Sequence, residues 1–383
     1  MSLPSWRITP SCRTINSPIG GPRLSETDRR NLPAKKHARN GLAGDIVEIT
    51  RNHLLLHRPI MSSPNARQEE ELFIQPDGNQ PSVEEDEVHD DQSDRSSLTS
   101  LTSSVLSGMV EGGRTYAVYG KEEYGLPMDE AELDRIDMCH VKYCALIDKN
   151  RYLAPISNPQ KILDLGCGTG IWAIEMAEEF PGAEVVGTDV APTQPEWVPP
   201  NCSFELDDIE REWTWKENSL DFIFSRDLLL AIRNWPALID QTYTHLKPGG
   251  WVEFQAIVGL LGCDDDSIAE DSYLRKFSGM METASSQYGA SLTDPMKWKG
   301  WFEERGYQNV TQKVFKLPFN PWPKDPRMKL LGAWEMENLL SGLEAMVTRM
   351  FQKGLGWSDE EVVVFLAFLR REVKNPRMHG YWP

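Results

Sequence analysis

An α/β fold with a parallel sheet is predicted for the middle of this 383-residue chain. Between residues 160 and 260, short apolar runs alternate with amphipathic stretches at the pitch of strands and helices. The run KILDLGC at 161–167 passes through glycines into a helical pattern at 170–180. Because parallel strands need long crossovers, which are usually helices, this alternation indicates a parallel sheet with right-handed connections.

Four further strands and one more helix complete this core. Pro236 falls near the start of the helix, where its missing N–H leaves no intrahelical bond unmade. The predicted strands span residues 184–190, 202–208, 219–227 and 251–258, and the predicted helix spans residues 234–247.

Helical segments flank the core on both sides. Residues 123–152 carry apolar side chains at approximately helical spacing, with Asp129 as a candidate N-cap. Helical patterns dominate again between residues 270 and 375, where Ser358 and Glu361 have capping-box spacing. We expect helices at 272–289, 294–306, 328–354 and 358–374, with an alternating strand at 310–319.

The first part of the chain has the composition of a disordered tail. Residues 1–44 carry eight Lys and Arg against two acidic residues, whereas residues 68–94 carry eleven acidic residues and no Lys or Arg. Neither stretch has the apolar periodicity that would offset the entropy of ordering, and residues 45–60 are too few to fold alone. We therefore predict a disordered tail at 1–110 and a folded domain at 111–383, with its core at 160–260.

The tail has three interpretations on sequence grounds. The simplest is a solvated leader with no structure of its own. The Ser/Thr-rich stretch at 96–108 is also compatible with a phosphorylated regulatory segment. The basic pairs at Arg29-Arg30 and Lys35-Lys36 are compatible with a nuclear-import signal.

Composition excludes several classes of function. The formal net charge is −18, and phosphate binding needs clustered positive charge, so direct nucleic-acid binding is not expected. No apolar run is long enough to span a membrane, and the N-terminus lacks the apolar region of a secretion signal, so we expect an intracellular protein of the nucleus or cytoplasm. The six cysteines include no CxxC pair and no nearby His cluster, which argues against a metal site and against disulfides.

The glycine-rich turn DLGCGTG at 164–170 is the strongest signal for function. Its glycines let backbone N–H groups approach a ligand, and the following helix contributes the positive end of its dipole. An acidic residue, Asp189, ends the next strand, where a carboxylate can accept both hydroxyls of a ribose. Ile171 occupies the position of the third glycine in dinucleotide-binding fingerprints, and no Gly-Lys-Ser/Thr follows, so NAD and P-loop nucleotide binding are excluded.

This turn resembles motif I of the class I S-adenosylmethionine-dependent methyltransferases. The resemblance implies a Rossmann-like sheet in which the glycine loop packs against the methionine part of the cofactor, and in which Asp189 holds the ribose. Of the two acids that follow the third strand, Asp208 is favoured for the adenine amino group because the apolar Ile209 comes next. LKPGGWVEF at 246–254 resembles the turn and fifth strand of the same fold.

A narrower resemblance points to the fungal LaeA-like methyltransferases, which are regulators linked to secondary metabolism. It rests on the stretches at 124–140, 222–235 and 250–255. It implies a helical N-terminal cover over the cofactor, a C-terminal helical lid, and a strand-four edge at which the substrate meets the methyl group. The cofactor-binding residues implied by the two resemblances are Asp164, Gly166, Cys167, Gly168, Gly170, Asp189, Asp208, Ile209, Ser225 and Arg226.

Two positions depart from the family pattern. Ala117 replaces the His of an Arg-x-Tyr-His-x-Tyr-like string, so no catalytic role is carried over to that segment. Ala256 follows Gln255, where an acidic residue is common, which weakens the case for a general base at this edge. Arg226 is equally compatible with a structural ion pair and with a site role.

The predicted reaction is methyl transfer by in-line displacement to an acceptor that no motif identifies, either a small molecule or a protein. The alternative is a cofactor-binding scaffold that acts through regulatory protein partners. Alignment and exclusion of water can supply much of the acceleration, so a general base is not obligatory. His140 is a candidate base, and His245 is expected to be structural. Five tryptophans are compatible with two roles, packing in the core and forming an aromatic acceptor pocket. They are Trp298, Trp301, Trp322, Trp334 and Trp357.

The end of the sheet carries one more expectation. In the class I fold a seventh, antiparallel strand lies between strands five and six. The segment 379–383 resembles the approach to that strand, and the sequence stops at Pro383. We therefore expect the seventh strand to be missing or irregular, with strands five and six partly unpaired and prone to aggregation.

Overall fold

A computed structural model describes residues 105, 107–120, 124–228 and 230–383 of the chain. Most of the predicted tail, with its 45–60 segment and its basic pairs, lies outside the described residues. A short antiparallel hairpin, β1 (Met109–Glu111) and β2 (Arg114–Tyr116), begins two residues inside the segment predicted as tail.

The core is a five-stranded parallel sheet with flanking helices, which confirms the predicted α/β class. Its strand order is β5-β4-β3-β6-β7, so the chain reverses direction across the sheet beside β3. In the centre, Leu163 is in register with Val186 on one side and with Ile223 on the other. The strands are β3 (Lys161–Leu165), β4 (Glu184–Asp189), β5 (Cys202–Leu206), β6 (Leu220–Arg226) and β7 (Leu246–Gln255); the helices are α2 (Ile171–Glu179) and α3 (Trp235–His245).

The predicted N-terminal cover is the helix α1 (Glu130–Leu146). Asp129 caps it by accepting the N–H of Glu132 at 3.3 Å. The same carboxylate also accepts two hydrogen bonds from Arg114, at 2.6 and 2.8 Å. One acid therefore both starts the helix and fixes the β1–β2 hairpin against it.

The C-terminal half is helical, as predicted. The capping box of Ser358 and Glu361 is present at the start of the last helix. The expected strand at 310–319 is wrong except at its end, because Val314 is 70% exposed and only two residues find a pairing partner. The elements are β8 (Gly262–Cys263), α4 (Tyr273–Gln287), α5 (Trp298–Glu304), β9 (Leu317–Pro318), α6 (Pro326–Leu355) and α7 (Asp359–Val373).

The last residues form a short strand that lies outside the parallel sheet, where β7 pairs with β6 alone among the described strands, so a seventh strand is present but irregular, which is within the expectation. This strand, β10 (Gly380–Trp382), pairs antiparallel with β8 on one side and with β9 on the other. Just past β7, the N–H of Val258 donates to the carbonyl of Pro383 at 2.9 Å. Each of these pairings joins only two pairs of residues, and the expected tendency to aggregate stays a prediction.

A buried ion pair joins the cover helix to the long helix α6. Lys142 Nζ lies 2.5 Å from Glu335 Oε2, and both side chains are only 1% exposed. The amide of Asn338 donates to the same carboxylate oxygen at 3.1 Å. Two charges so deeply buried are tolerated only as a pair, because either one alone would lack compensation.

We expect Glu335→Gln to lower the free energy of unfolding by about 3–5 kcal/mol, because it leaves the buried Lys142 uncompensated. The double variant Lys142→Met/Glu335→Leu should recover most of that loss, since it removes both charges. Glu184→Gln breaks a solvent-exposed pair with Lys161 and is the matched control, with an expected loss below ~1 kcal/mol. Chemical denaturation of the three variants measures the differences, and equal losses for Glu335→Gln and Glu184→Gln would contradict the assignment.

Candidate active site

A cavity of about 320 Å³ opens at the carboxyl ends of the parallel strands. Residues that follow β3, β4 and β6 contribute to its wall, namely Gly166, Val190 and Asp227. The helices α1, α4 and α6 supply side chains on the other side. Ligands of open α/β sheets bind at this edge, so the fold places the cavity where the sequence predicts a cofactor.

Eight of the ten predicted site residues line this cavity. Gly170 does not: it begins α2, and a Cβ there would lie 2.3 Å from the ring of Phe204, so the glycine is required for packing. Ser225 does not either, because it is enclosed in β6 between Leu165 and Phe254 of the neighbouring strands. The eight that line the cavity are Asp164, Gly166, Cys167, Gly168, Asp189, Asp208, Ile209 and Arg226.

The glycine loop is held in the left-handed region by the strands around it. Gly166 has a φ of 64° and Gly168 a φ of 57°, which disfavours any other residue. The N–H of Gly168 donates to Asp189 Oδ2 at 2.8 Å, and its carbonyl accepts from Thr193 and Gln194. The loop is thus fixed to the end of β4.

Three acids of the cavity have different surroundings. Asp164 is buried, its Oδ2 has no hydrogen-bond partner among the described residues, and burial raises its pKa well above the usual range. Asp189 accepts the N–H groups of Gly168 and Ala191, yet burial still raises its pKa to about 6. Asp208 lies beside the buried Ile209 and accepts the N–H of Glu210 at 3.1 Å.

Arg226 makes no ion pair with the described residues, so the interpretation as a structural ion pair finds no support among them, and a site role stays a prediction. Its guanidinium donates to three neutral acceptors: Gln255 Oε1 at 2.8 Å, His140 Nδ1 at 3.0 Å and the carbonyl of Arg151 at 3.0 Å. The side chain also lies over the ring of Tyr143, 5.1 Å from its centroid. Arg226 therefore forms part of the cavity wall and binds the cover helix to the sheet.

His140 is not arranged as a base. Because Arg226 donates to its Nδ1, the ring proton must lie on Nε2, which faces Glu175 Oε2 at 3.2 Å. Burial lowers its pKa and keeps the imidazole neutral. His245 lies on α3 with its Nδ1 2.9 Å from the carbonyl of Gln241, away from the cavity, as expected of a structural residue.

Sequence reasoning missed a pair of groups in the cavity wall. The hydroxyl of Tyr143 donates to Asp227 Oδ1 at 2.6 Å, and both residues line the cavity. Asp227 directly follows the last residue of β6, so its place at a strand end was a signal that could have found it. None of the five tryptophans considered for an acceptor pocket lines the cavity, whereas Trp172 and Trp382 do.

One end of the cavity wall is apolar. Its side chains come from α4, α6 and the C-terminal strand, and from the segments before α1 and after β6, β7 and α4. They are Leu126, Leu230, Ile257, Phe277, Met281, Leu292, Leu339, Met346 and Trp382. A ligand with an apolar body can bury apolar surface at this part of the wall, and a polar ligand can contact the acidic side chains elsewhere in the same cavity.

The comparisons with known proteins agree with this geometry. A family model described as a methyltransferase domain matches residues 140–312. Methyltransferase pytC of Aspergillus terreus is 38% identical over 287 residues, which cover 74% of this chain and 88% of that protein. Secondary metabolism regulator LAE1 of Cochliobolus heterostrophus is 36% identical over 282 residues, 72% of this chain and 92% of that protein. Protein-methionine methyltransferase laeA of Emericella nidulans is 32% identical over 277 residues, 71% of this chain and 73% of that protein.

A Rossmann-like sheet, a glycine loop and this degree of similarity define a class I methyltransferase that uses S-adenosylmethionine. Within that class, the chain belongs to the LaeA-like family that includes pytC, LAE1 and laeA. The sequence-based recognition of both is confirmed. No helix of the described residues could cross a bilayer. Among those same residues, no group of three His, Cys, Asp or Glu side chains could hold a metal ion.

The residues present fit this cofactor. The buried oxygen of Asp164 that has no partner among the described residues can accept a hydrogen bond from an ammonium group. Asp189, at the end of β4, can accept the hydroxyls of a ribose. The wall of Asp208 and Ile209 offers an acceptor beside an apolar surface, as an aminopurine ring requires. When bound, S-adenosylmethionine supplies a methyl group on a sulfonium sulfur that leaves as a neutral thioether.

We expect His140 to be the Nε2–H tautomer and to titrate below the usual value near 6.5, because it is buried and accepts from Arg226. Long-range nitrogen–proton NMR spectra across pH 5–8 should show the ring neutral at pH 7, and His140→Gln assigns the signal by removing it. A ring protonated at Nδ1, or one with its midpoint at or above 6.5, would contradict the placement.

Proposed function

We propose that this protein methylates an acceptor with an apolar body and that the reaction serves secondary metabolism. The observation that carries the proposal is that the glycine loop and the apolar side chains of α4 and α6 line one and the same cavity. A cofactor and an acceptor can therefore meet without crossing a protein wall. The names of LAE1 and laeA, a secondary metabolism regulator and a protein-methionine methyltransferase, support the link to metabolism and leave two acceptor classes, protein and small molecule.

At the cofactor end, we assign one role to each acid. Asp189 accepts the ribose hydroxyls, Asp208 accepts the adenine amino group beside Ile209, and Asp164 accepts the ammonium group. The backbone of Gly166 and Gly168 provides the surface against the methionine part. The support for these roles is the placement of all five residues in one cavity wall and the unpartnered oxygen of Asp164.

At the acceptor end, Phe277, Met281 and Leu339 supply a surface that favours apolar groups. Burial of such groups is favourable by about 25 cal/mol per Å² of apolar surface. The scaffold alternative, in which no acceptor binds, leaves this surface without a use. We therefore favour an enzyme with its own acceptor.

Replacing Asp189 with Asn should raise the dissociation constant of S-adenosylmethionine at least about tenfold, since hydrogen bonds to a charged group contribute about 1.5–3 kcal/mol. Binding by hydroxyl donors favours the ionised carboxylate, whose pKa is about 6 in the free protein. The wild-type affinity should therefore fall as the pH drops through 6, because a proton must then be displaced, and the variant should lack this part of the pH dependence.

Calorimetric titrations of both proteins between pH 5 and 8 measure this effect. The difference between the two profiles isolates Asp189 from Asp164, whose pKa is also raised by burial. The matched control is Asp137→Asn: burial raises the pKa of Asp137 to about 6 as well, but this acid binds Thr169 and does not line the cavity. An unchanged constant for Asp189→Asn would show that another residue holds the ribose.

A bulkier side chain in the apolar wall should block the acceptor and spare the cofactor. Met346 lines the cavity and is half-buried, so Met346→Trp should reduce methyl transfer at least about tenfold while S-adenosylmethionine binds as before. Met296→Trp, at a position 59% exposed and outside the cavity, is the control. Transfer of tritiated methyl groups into fungal culture extracts provides the assay, and full activity of Met346→Trp would refute the location of the acceptor.

A further inference from the structure

The carboxylate of Asp227 is a polar group in the cavity wall that a ligand can reach. It follows the last residue of β6, lines the cavity and is solvent-exposed, unlike the buried Asp164. Its backbone has a φ of 59°, a left-handed conformation that Asp tolerates better than most residues. The N–H of Asp227 donates to the carbonyl of Gln255 at 2.9 Å, so the strained residue is fixed to the end of β7.

Tyr143 orients this carboxylate. Its hydroxyl donates to Oδ1 of Asp227 at 2.6 Å, and the N–H of Ile257 approaches the same oxygen at 3.4 Å. Burial and the neighbouring negative charge raise the pKa of Tyr143 well above its usual value, so the phenol remains a donor. The second oxygen, Oδ2, has no hydrogen bond to the described residues and is left for a ligand.

The nearby cations do not neutralise Asp227 by direct pairing. Arg135 is bound to Glu132, at 2.5 Å between the closest atoms, and Lys142 is bound to Glu335. Arg226 donates to three neutral groups. None of the ion pairs within the described residues includes Asp227, so no cation among them occupies its carboxylate in place of a ligand.

We propose that Asp227 accepts the proton of a hydroxyl-bearing acceptor, and that the acceptor is therefore an alcohol or phenol on an apolar body. The inference deepens the proposed function and rests on it. A thioether such as a methionine side chain has no proton to lose and no use for a base at this place. An alcohol or phenol could donate its hydroxyl proton to Oδ2 while its apolar body packs against the apolar side chains of the same cavity.

The step balances without a further reactant. The hydroxyl oxygen of the acceptor forms a bond to the methyl carbon, and the bond between that carbon and the sulfonium sulfur breaks with its electron pair left on sulfur. The hydroxyl proton passes to Oδ2 of Asp227 and is later lost to solvent, to which this side chain is exposed. Tyr143 keeps its own proton and acts as a positioning residue.

A pair of matched probes tests the proposal on the protein loaded with S-adenosylhomocysteine, so that no transfer can occur. 2-Naphthol carries a hydroxyl on an apolar body, and 2-methoxynaphthalene is the same body without a proton to donate. Calorimetry should show 2-naphthol bound at least about tenfold more tightly, since a charged acceptor strengthens a hydrogen bond. The fluorescence of bound 2-naphthol should contain a naphtholate band, because a base lies beside its hydroxyl.

Three variants identify the residue responsible. Asp227→Asn keeps the shape and tolerates the left-handed backbone, and it should reduce the preference to about twofold and remove the naphtholate band. Tyr143→Phe leaves the carboxylate but frees its orientation, and it should give an intermediate preference. Asp266→Asn is the matched control, because Asp266 is also an exposed Asp in the left-handed region, with a φ of 55°, and lies outside the cavity.

Each outcome is decisive. Equal affinity of the two probes for the wild-type protein overturns the role of Asp227 and leaves the proposed function intact, and this comparison does not require any variant to fold. Binding of neither probe, with S-adenosylhomocysteine still bound, overturns both the apolar acceptor site and the inference. A preference that survives in Asp227→Asn assigns the hydroxyl to another residue and also overturns the inference. A purely structural Asp227 would change the melting temperature of the variant and leave the preference unchanged.

Discussion

The guanidinium of Arg226 joins four parts of the fold at the carboxyl edge of the sheet. It lies at the end of β6 and donates to Gln255 of β7, to His140 of the cover helix and to the carbonyl of Arg151. Tyr143, three residues after His140, lies on the same face of that helix and bonds the next residue of the chain, Asp227. Two consecutive residues at a strand end thus bind two side chains one turn apart on the cover helix. Together with the buried pair of Lys142 and Glu335, these contacts hold the cover over the cavity.

The acidic lining of the cavity suits the charge of the cofactor that we propose for it. S-adenosylmethionine carries a sulfonium and an ammonium group against one carboxylate, so it binds as a cation. Asp164, Asp189 and Asp208 supply negative charge to the same wall, and burial raises the pKa values of Asp164 and Asp189, which makes these two acids costly to ionise. The raised pKa values of Asp164 and Asp189 therefore fit the proposal that this wall binds a positive ligand, because such a ligand would lower the cost of ionising both acids.

Local patterns predicted the sheet and the glycine loop because both depend on neighbouring residues in sequence. The strands at 161–167 and 184–190 are continuous apolar runs, and the turn between β3 and α2 needs its glycines at fixed spacing. The pair of Tyr143 and Asp227 is 84 residues apart in sequence, and no local periodicity brings it together. The strand expected at 310–319 failed for a related reason: alternation alone does not supply a neighbour, and the available partner β10 is only three residues long.

The sequence departs from the family pattern at Ala256, just after β7. An acid, Asp227, lies instead at the end of the neighbouring strand β6. Where an acidic residue was expected, Ala256 packs against the two large apolar clusters of the domain. The carbonyl of Gln255 instead accepts the N–H of Asp227, which brings a carboxylate to the same edge from the end of β6. A carboxylate at the end of β7 in place of Ala256 would have to remain solvated among apolar neighbours, whereas Asp227 is held by a phenol and a backbone carbonyl. This edge of the sheet therefore carries an acid, and the hydrogen bond from Tyr143 connects that acid to the cover helix.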